Sequence, residues 1–352
     1  MKENMKGRGS LGGARSRSKA RWTWAFFILL ATLSLSMTAY NIIAATKAAQ
    51  NPEPILAKHR IKPFHTIITS DGSSYQLWQS RIMYYWYKKN RGPEMGGFTR
   101  ILHSGQPDDY MEEIPTFVSQ PLSDKEYVVM HRPFGVLQWL EEAEIEEDYI
   151  FMSEPDHLIV RPIPNMATKY YGVAYPFNYI VPYTHKKLLI KHFPNGRFPM
   201  TRVDSIGNCP AIVSKEALMR ITPHWLNMSL SMKNDPETYK ELGWILEMYA
   251  YAMASAFTGV LYKLKRDFEV QAPLDTKLAD TYIVHYTYSL EYDLQGKRVS
   301  EKEGNWSFNK RRYHVGPPKN LALPPVGTPE TVVKMLSMIN EASANLQGWK
   351  SD

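Results

Sequence analysis

Cysteine is nearly absent: Cys209 is the only one in 352 residues. A single thiol excludes an intrachain disulfide and a cysteine-ligated metal cluster, so core packing must stabilise the folded part. Net charge is also missing from most of the chain. The whole sequence carries 42 Lys and Arg against 35 Asp and Glu. Seven of those basic residues and one of the acids precede Trp22, leaving 35 against 34 beyond it. The basic excess is a tail of residues 1–21, not a groove for phosphate backbones, and a nucleic-acid partner is not expected.

Charge is absent altogether from Trp22 to about Ala45. That length matches the roughly 20 residues needed to cross a bilayer. Trp22, Trp24 and Tyr40 lie near its ends, where interfacial anchors belong. A cleaved signal peptide has a shorter apolar region, ~7–15 residues, although Ala44-Ala45-Thr46 resembles a small-residue cleavage site. The basic flank places the N-terminus in the cytosol. The expectation is a type II signal anchor over 22–45, a stem over 46–62 and a lumenal domain over 63–352. Sequons at Asn227 and Asn305 fit a lumenal body.

The domain begins with a β-rich run, Phe64 to Ser70, closed by the turn signal Asp71-Gly72. Apolar residues at helical spacing follow from Tyr75 to Trp86, then a second strand from Phe98 to His103. Strand, helix, strand predicts a parallel βαβ unit. Thr69, Ser70 and Asp71 lie at the end of the first strand, where a nucleotide base can rest; a capped turn explains them nearly as well. Tyr127 to about Glu146 reads as a helix, and Thr331 to about Leu346 as a final amphipathic one.

One stretch organises the rest. The apolar run Tyr149-Ile150-Phe151-Met152 stops at Ser153-Glu154-Pro155-Asp156-His157. Ligands of open α/β sheets lie beyond the carboxyl ends of strands. Two carboxylates there suit a hard divalent cation that can hold phosphates. The competing reading is a polar turn in which Pro155 stops pairing.

Two further acids are candidates. Asp204 stands in a polar loop ahead of Ala211-Ile212-Val213, where Gly207 and Pro210 signal a turn. It is placed for acceptor or sugar contacts, or for capping nearby amides. Glu241 to Phe257 reads as a buried helix, apolar almost all round. Glu247 is its only acid after the first residue and has Gly243, Ala250 and Ala254 on its face. A buried carboxylate needs a partner, either a site role or an ion pair with an arginine such as Arg202. Lys310 and Arg311, in a basic cluster, can neutralise a diphosphate leaving group or form a solvated charge run.

The segments His65-Thr66-Ile67-Ile68-Thr69, Tyr149 to Asp156, Asp204-Ser205-Ile206-Gly207-Asn208 and Ile283-Val284-His285-Tyr286 resemble the plant hydroxyproline O-arabinosyltransferases. The resemblance runs from about Pro63 to the C-terminus and includes the tail and anchor. It implies an α/β, GT-A-like fold with a mixed, mainly parallel central sheet flanked by helices. It implies a Golgi type II membrane enzyme that moves L-arabinofuranose from UDP-β-L-arabinofuranose to hydroxyproline in secreted peptides and extensins. It further implies net retention and Mn²⁺, or another divalent cation, held by Glu154, Asp156 and His285. It promotes His285 over His103, His131, His157 and His314, because a late histidine completes the metal shell in many such enzymes. Glu154 departs from the common Asp-x-Asp pattern by one methylene. Galactosyl or xylosyl transfer, and a peptide-binding protein without catalysis, are the alternatives.

Overall fold

The computed structural model describes residues 28–43, 46, 62–122, 128–300 and 304–352. Residues 1–60 and 61–352 form separate units. In the first, residues 28–43 are helical (α1), with apolar side chains such as Leu29, Leu33, Leu35 and Ile42 exposed. Thr32, Ser36 and Thr38 donate their hydroxyls to carbonyls three or four residues back. Among the described residues no helix is long and apolar enough to cross a membrane. The expected tail 1–21, both ends of the expected anchor (22–27 and 44–45) and residues 47–61 of the stem lie outside the described residues.

The second unit opens with β1 (Phe64–Ser70), α2 (Ser74–Lys89) and β2 (Met95–Leu102), and the two strands pair in parallel as the sequence predicts. Ser73 caps α2 by accepting from the Gln76 N–H, while Lys88 and Lys89 complement its C-terminal end. The strand β3 (Thr116–Val118), the helix α3 (His131–Glu142), β4 (Tyr149–Met152), β5 (His157–Ile159) and β6 (Tyr171–Pro176) follow. Next come the short α4 (Lys186–Leu189), β7 (Ile206–Ser214), α5 (Lys215–Lys233), α6 (Pro236–Leu242) and α7 (Leu246–Phe257). The chain ends with β8 (Leu261–Leu264), β9 (Glu269–Gln271), β10 (Ile283–His285), β11 (Leu290–Tyr292), β12 (Trp306–Phe308) and α8 (Glu330–Asn345).

The central sheet runs β3-β2-β1-β4-β7-β6-β8. Only β7 is antiparallel to its neighbours β4 and β6, so the sheet is mixed and mainly parallel. Strand alternation sends Ile150 and Met152 to one face, packed with Trp139, Trp225 and Tyr251 from α3, α5 and α7. Tyr149 and Phe151 go to the other face, with Met83 and Tyr87 of α2 and with Phe268. Fully burying a side chain of this size contributes about 1.5–3 kcal/mol. Both faces are therefore covered, which leaves the strand ends as the place for a ligand. A smaller sheet, β5-β10-β9, lies just past the end of β4.

Two local expectations are corrected. The helix expected over Glu241–Phe257 is broken: Gly243 takes φ 49° and ψ −126°, a conformation that suits only glycine. α6 ends there, a single 3₁₀ turn spans Gly243–Ile245, and α7 starts afresh at Leu246. The turn expected at Gly207–Pro210 is instead part of β7. Pro210 is tolerated because the register between β6 and β7 shifts there, and pairing with β4 starts only at Ala211.

Candidate active site

β4 delivers its last residue, Met152, to the middle of the sheet, and Ser153–Asp156 then turns the chain into β5. β5 pairs antiparallel with β10 so that His157 lies directly opposite His285, and β10 pairs in parallel with β9, bringing in Glu269 and Gln271. This small sheet exists because Leu158, Ile159, Ile283, Val284 and Val270 are all buried. It carries the polar residues of the site on its remaining positions.

Glu154, Asp156, His157 and His285 each offer a ligand atom, all within 4.8 Å of one another. His285 Nε2 lies 3.1 Å from Asp156 Oδ2 and 3.6 Å from Glu154 Oε2. Cis ligands of an octahedral ion stand about 3 Å apart when metal–ligand distances are near 2.1 Å. The three sequence-predicted ligands thus come together at a spacing a divalent cation can use. Lys310 donates to Asp156 Oδ2 as well and is buried over the Tyr286 ring.

A carboxylate stands behind the histidines. Glu269 is buried, with one oxygen 3.1 Å from His285 Nδ1 and the other 3.3 Å from His157 Nε2. Gln271 Nε2 donates to Glu269 Oε1 at 2.8 Å. His157 Nδ1 accepts from the Glu154 N–H at 3.3 Å, which leaves its Nε2–H to face Glu269. Burial, then the neighbouring His285, holds His157 below the ordinary histidine value, so it is neutral. Burial opposes charge on His285 too, but Asp156 and Glu269 outweigh it and raise the imidazole to about 10. Asp156 behaves conversely: burial pushes it up, and His285 with Lys310 brings it well below the ordinary carboxylate range.

Arg132, in the first turn of α3, closes the other side. It makes a 2.9 Å ion pair with Glu154 Oε1, a 3.4 Å pair with Glu247 Oε2 and a 3.3 Å hydrogen bond to Asn208 Oδ1. The partner of Glu247 is thus Arg132, not Arg202. Burial raises Glu247 to about 7 against the pull of Arg132. Trp225 Nε1 fixes the first turn of α7 by donating to the Glu247 carbonyl.

Charge accounting tests whether a divalent cation fits. His285, Lys310 and Arg132 supply three positive charges to the four carboxylates Glu154, Asp156, Glu247 and Glu269. Buried charge costs several kcal/mol per ion unless paired, so one acid is in excess when Glu247 is ionised, and none when it keeps its proton. A divalent cation in place of the His285 proton would bring four positive charges against the four negative ones present once Glu247 is ionised. Oxygen and imidazole donors are the correct set for such an ion, and a carboxylate behind the histidine fixes its tautomer.

Ser70 is buried at the end of β1, whereas Asp71 Oδ1 accepts from the Ser73 N–H and hydroxyl at the start of α2. Thr69 is half-buried beside them. Arg311 turns outward and donates to the Thr287 carbonyl, so only Lys310 of the basic pair joins the acids. Asp204 precedes β7, half-buried and raised by that burial, outside the four-residue ligand cluster. Glu269 and Arg132 were not foreseen from the sequence. Glu269 had a weak signal, as an acid alternating with Phe268 and Val270 in an apolar run; Arg132 had none.

Residues 64–264 match the model for the hydroxyproline O-arabinosyltransferase family N-terminal domain, and residues 282–350 the C-terminal domain of that family. Similar proteins include hydroxyproline O-arabinosyltransferase 1 of Arabidopsis thaliana, 48% identical over 93% of this chain and 98% of that protein. Another is hydroxyproline O-arabinosyltransferase PLENTY of Lotus japonicus, 51% identical over 82% of each. A peptidyl serine alpha-galactosyltransferase of Arabidopsis thaliana is 24% identical over 84% of this chain but only 38% of its own length.

Proposed function

The chain belongs to the hydroxyproline O-arabinosyltransferase family of glycosyltransferases, and from that premise we propose that it transfers L-arabinofuranose from UDP-β-L-arabinofuranose to hydroxyproline. The acceptors are secreted peptides and extensin-type proteins. The observation that carries this reading is the convergence of Glu154, Asp156 and His285 beyond the end of β4, with Lys310 beside them. A GT-A-like arrangement is supported by the mainly parallel sheet with acids at its strand ends.

Glu154, Asp156 and His285 would hold Mn²⁺ or a similar divalent cation, which would supply Lewis-acid stabilisation of the departing diphosphate and orient the donor. Glu269 keeps the His285 Nδ1 protonated, so that Nε2 presents its lone pair to the site. Lys310, paired with Asp156, would bring a positive charge to where negative charge develops on the leaving group. Thr69, Ser70 and Asp71 line the end of β1, where the uracil base rests. Arg311 stays at the rim.

The sugar is transferred with net retention. Glu247 faces the same space through Arg132, and burial raises it to about 7. It stabilises positive charge on the sugar or attacks it directly. Asp204, at the mouth of β7, contributes to the acceptor side. Tyr179, exposed and tilted against Phe177 with ring centroids 5.2 Å apart, provides an aromatic wall for an extended proline-rich acceptor.

The protein is anchored in the Golgi membrane by residues 22–45, with the body in the lumen. Support comes from the uncharged stretch and from the self-satisfied hydroxyls of Thr32, Ser36 and Thr38 in α1. A donor panel of UDP-arabinofuranose, UDP-galactose and UDP-xylose, each offered with one hydroxyproline peptide, tests the specificity. Transfer from either of the latter two alone would reject it.

A further inference from the structure

Glu154 uses its two oxygens in two directions. Oε1 lies 2.9 Å from Arg132 NH2, while Oε2 turns to the other side, 3.6 Å from His285 Nε2. Arg132 is itself fixed at three points, by Glu154, Glu247 and Asn208, which come from the β4–β5 turn, α7 and β7. Its planar guanidinium makes that three-way geometry possible; a lysine ammonium cannot reproduce the fork.

We propose that Arg132 is a positioning residue for the cation site, holding Glu154 by one oxygen so that the other alone is presented as a single-oxygen ligand. This rests on the metal-binding reading of Glu154, Asp156 and His285. It also gives a physical reason for glutamate where an aspartate is usual. Arg132 stands off the site on the α3 side, and the extra methylene lets one carboxylate span from the guanidinium to the cation position. An aspartate reaches one of the two but not both. The same anchor ties Glu247 to Glu154, so the two acids hold a fixed relation.

The sign of the effect separates positioning from simple charge. A cation beside a metal site repels the metal, so an Arg132 that acted only through charge would weaken binding, and its removal would strengthen it. A positioning residue acts the other way. Outer contacts that orient metal ligands typically change metal affinity 10–100-fold when removed.

The test is a titration of the full-length chain with Mn²⁺ alone, followed by electron paramagnetic resonance of the free ion, with no donor or acceptor present. Arg132→Lys keeps the positive charge and loses the fork; it is expected to weaken Mn²⁺ binding by at least tenfold. Glu154→Asp is expected to do the same, and the two together no more than either alone, because they break one arrangement. Melting curves accompany each variant, and Glu154→Asp carries the test where Arg132→Lys does not fold. Native or tighter Mn²⁺ binding by the folded variants overturns the positioning role. Absence of binding by the unmodified chain overturns the metal reading itself and this role with it.

Discussion

His285 and Glu269 form a buried pair across adjacent strands, with Nδ1 of the imidazole 3.1 Å from Oε1 of the carboxylate. Since β9 and β10 run parallel and Gln271 is the register partner of His285, Glu269 reaches the ring diagonally. The second oxygen of Glu269 engages His157, so one carboxylate orients both histidines.

That relationship predicts the effect of Glu269→Gln. The amide is nearly isosteric but loses the charge that holds the His285 Nδ1–H and faces His157. Mn²⁺ affinity is expected to fall about 10–100-fold while the fold is retained. Calorimetric titration against the unmodified chain checks this; unchanged affinity would remove Glu269 from the site.

Lys310 is expected to matter for turnover more than for donor binding. It contacts Asp156 and lies buried over the Tyr286 ring. Lys310→Ala is expected to lower kcat by about 10²-fold, the magnitude typical of losing one preorganised donor. Arg311→Ala, which removes only a contact to the Thr287 carbonyl at the surface, is expected to leave kcat within about twofold. Equal losses in the two variants would contradict the division between them.

Glu247 makes stability depend on pH with a definite sign. Its folded value, about 7, is above its ordinary 4.5. The folded chain therefore keeps this proton over a range where the unfolded chain has released it. The stability this group contributes is complete below about pH 4.5 and is lost as pH rises to about 7. Relative to Glu247→Gln, the metal-free native chain should lose on the order of 3 kcal/mol across that window. Urea unfolding of both chains at several pH values measures it; parallel curves would show that Glu247 is already ionised throughout.

Exhaustive chelation is expected to abolish transfer, and added Mn²⁺ to restore it. Full activity in the chelated enzyme would reject the metal role of Glu154, Asp156 and His285 together.

Local pattern carried much of the architecture. The β1–α2–β2 unit, the acids after Met152 and the helix at 330–345 follow from periodicity and turn chemistry within short windows. The joining of Glu154, Asp156 and His285 needed more, because the histidine is brought in by pairing of β5 with β10, more than a hundred residues away. Glu269, faintly marked as an acid in an apolar run, and Arg132, not marked at all, each acquire their meaning from a partner on another element. The break at Gly243 was hidden by apolar neighbours on both sides, which continue the helical pattern across a residue whose backbone leaves it.

The most direct measurement is mass spectrometry of a hydroxyproline peptide incubated with the full-length chain, Mn²⁺ and UDP-β-L-arabinofuranose. The expected result is the addition of one pentose on hydroxyproline, absent when proline replaces it and absent with Asp156→Ala. An unmodified peptide under those conditions, or an equal gain with Asp156→Ala, would contradict the assignment of this site to arabinosyl transfer.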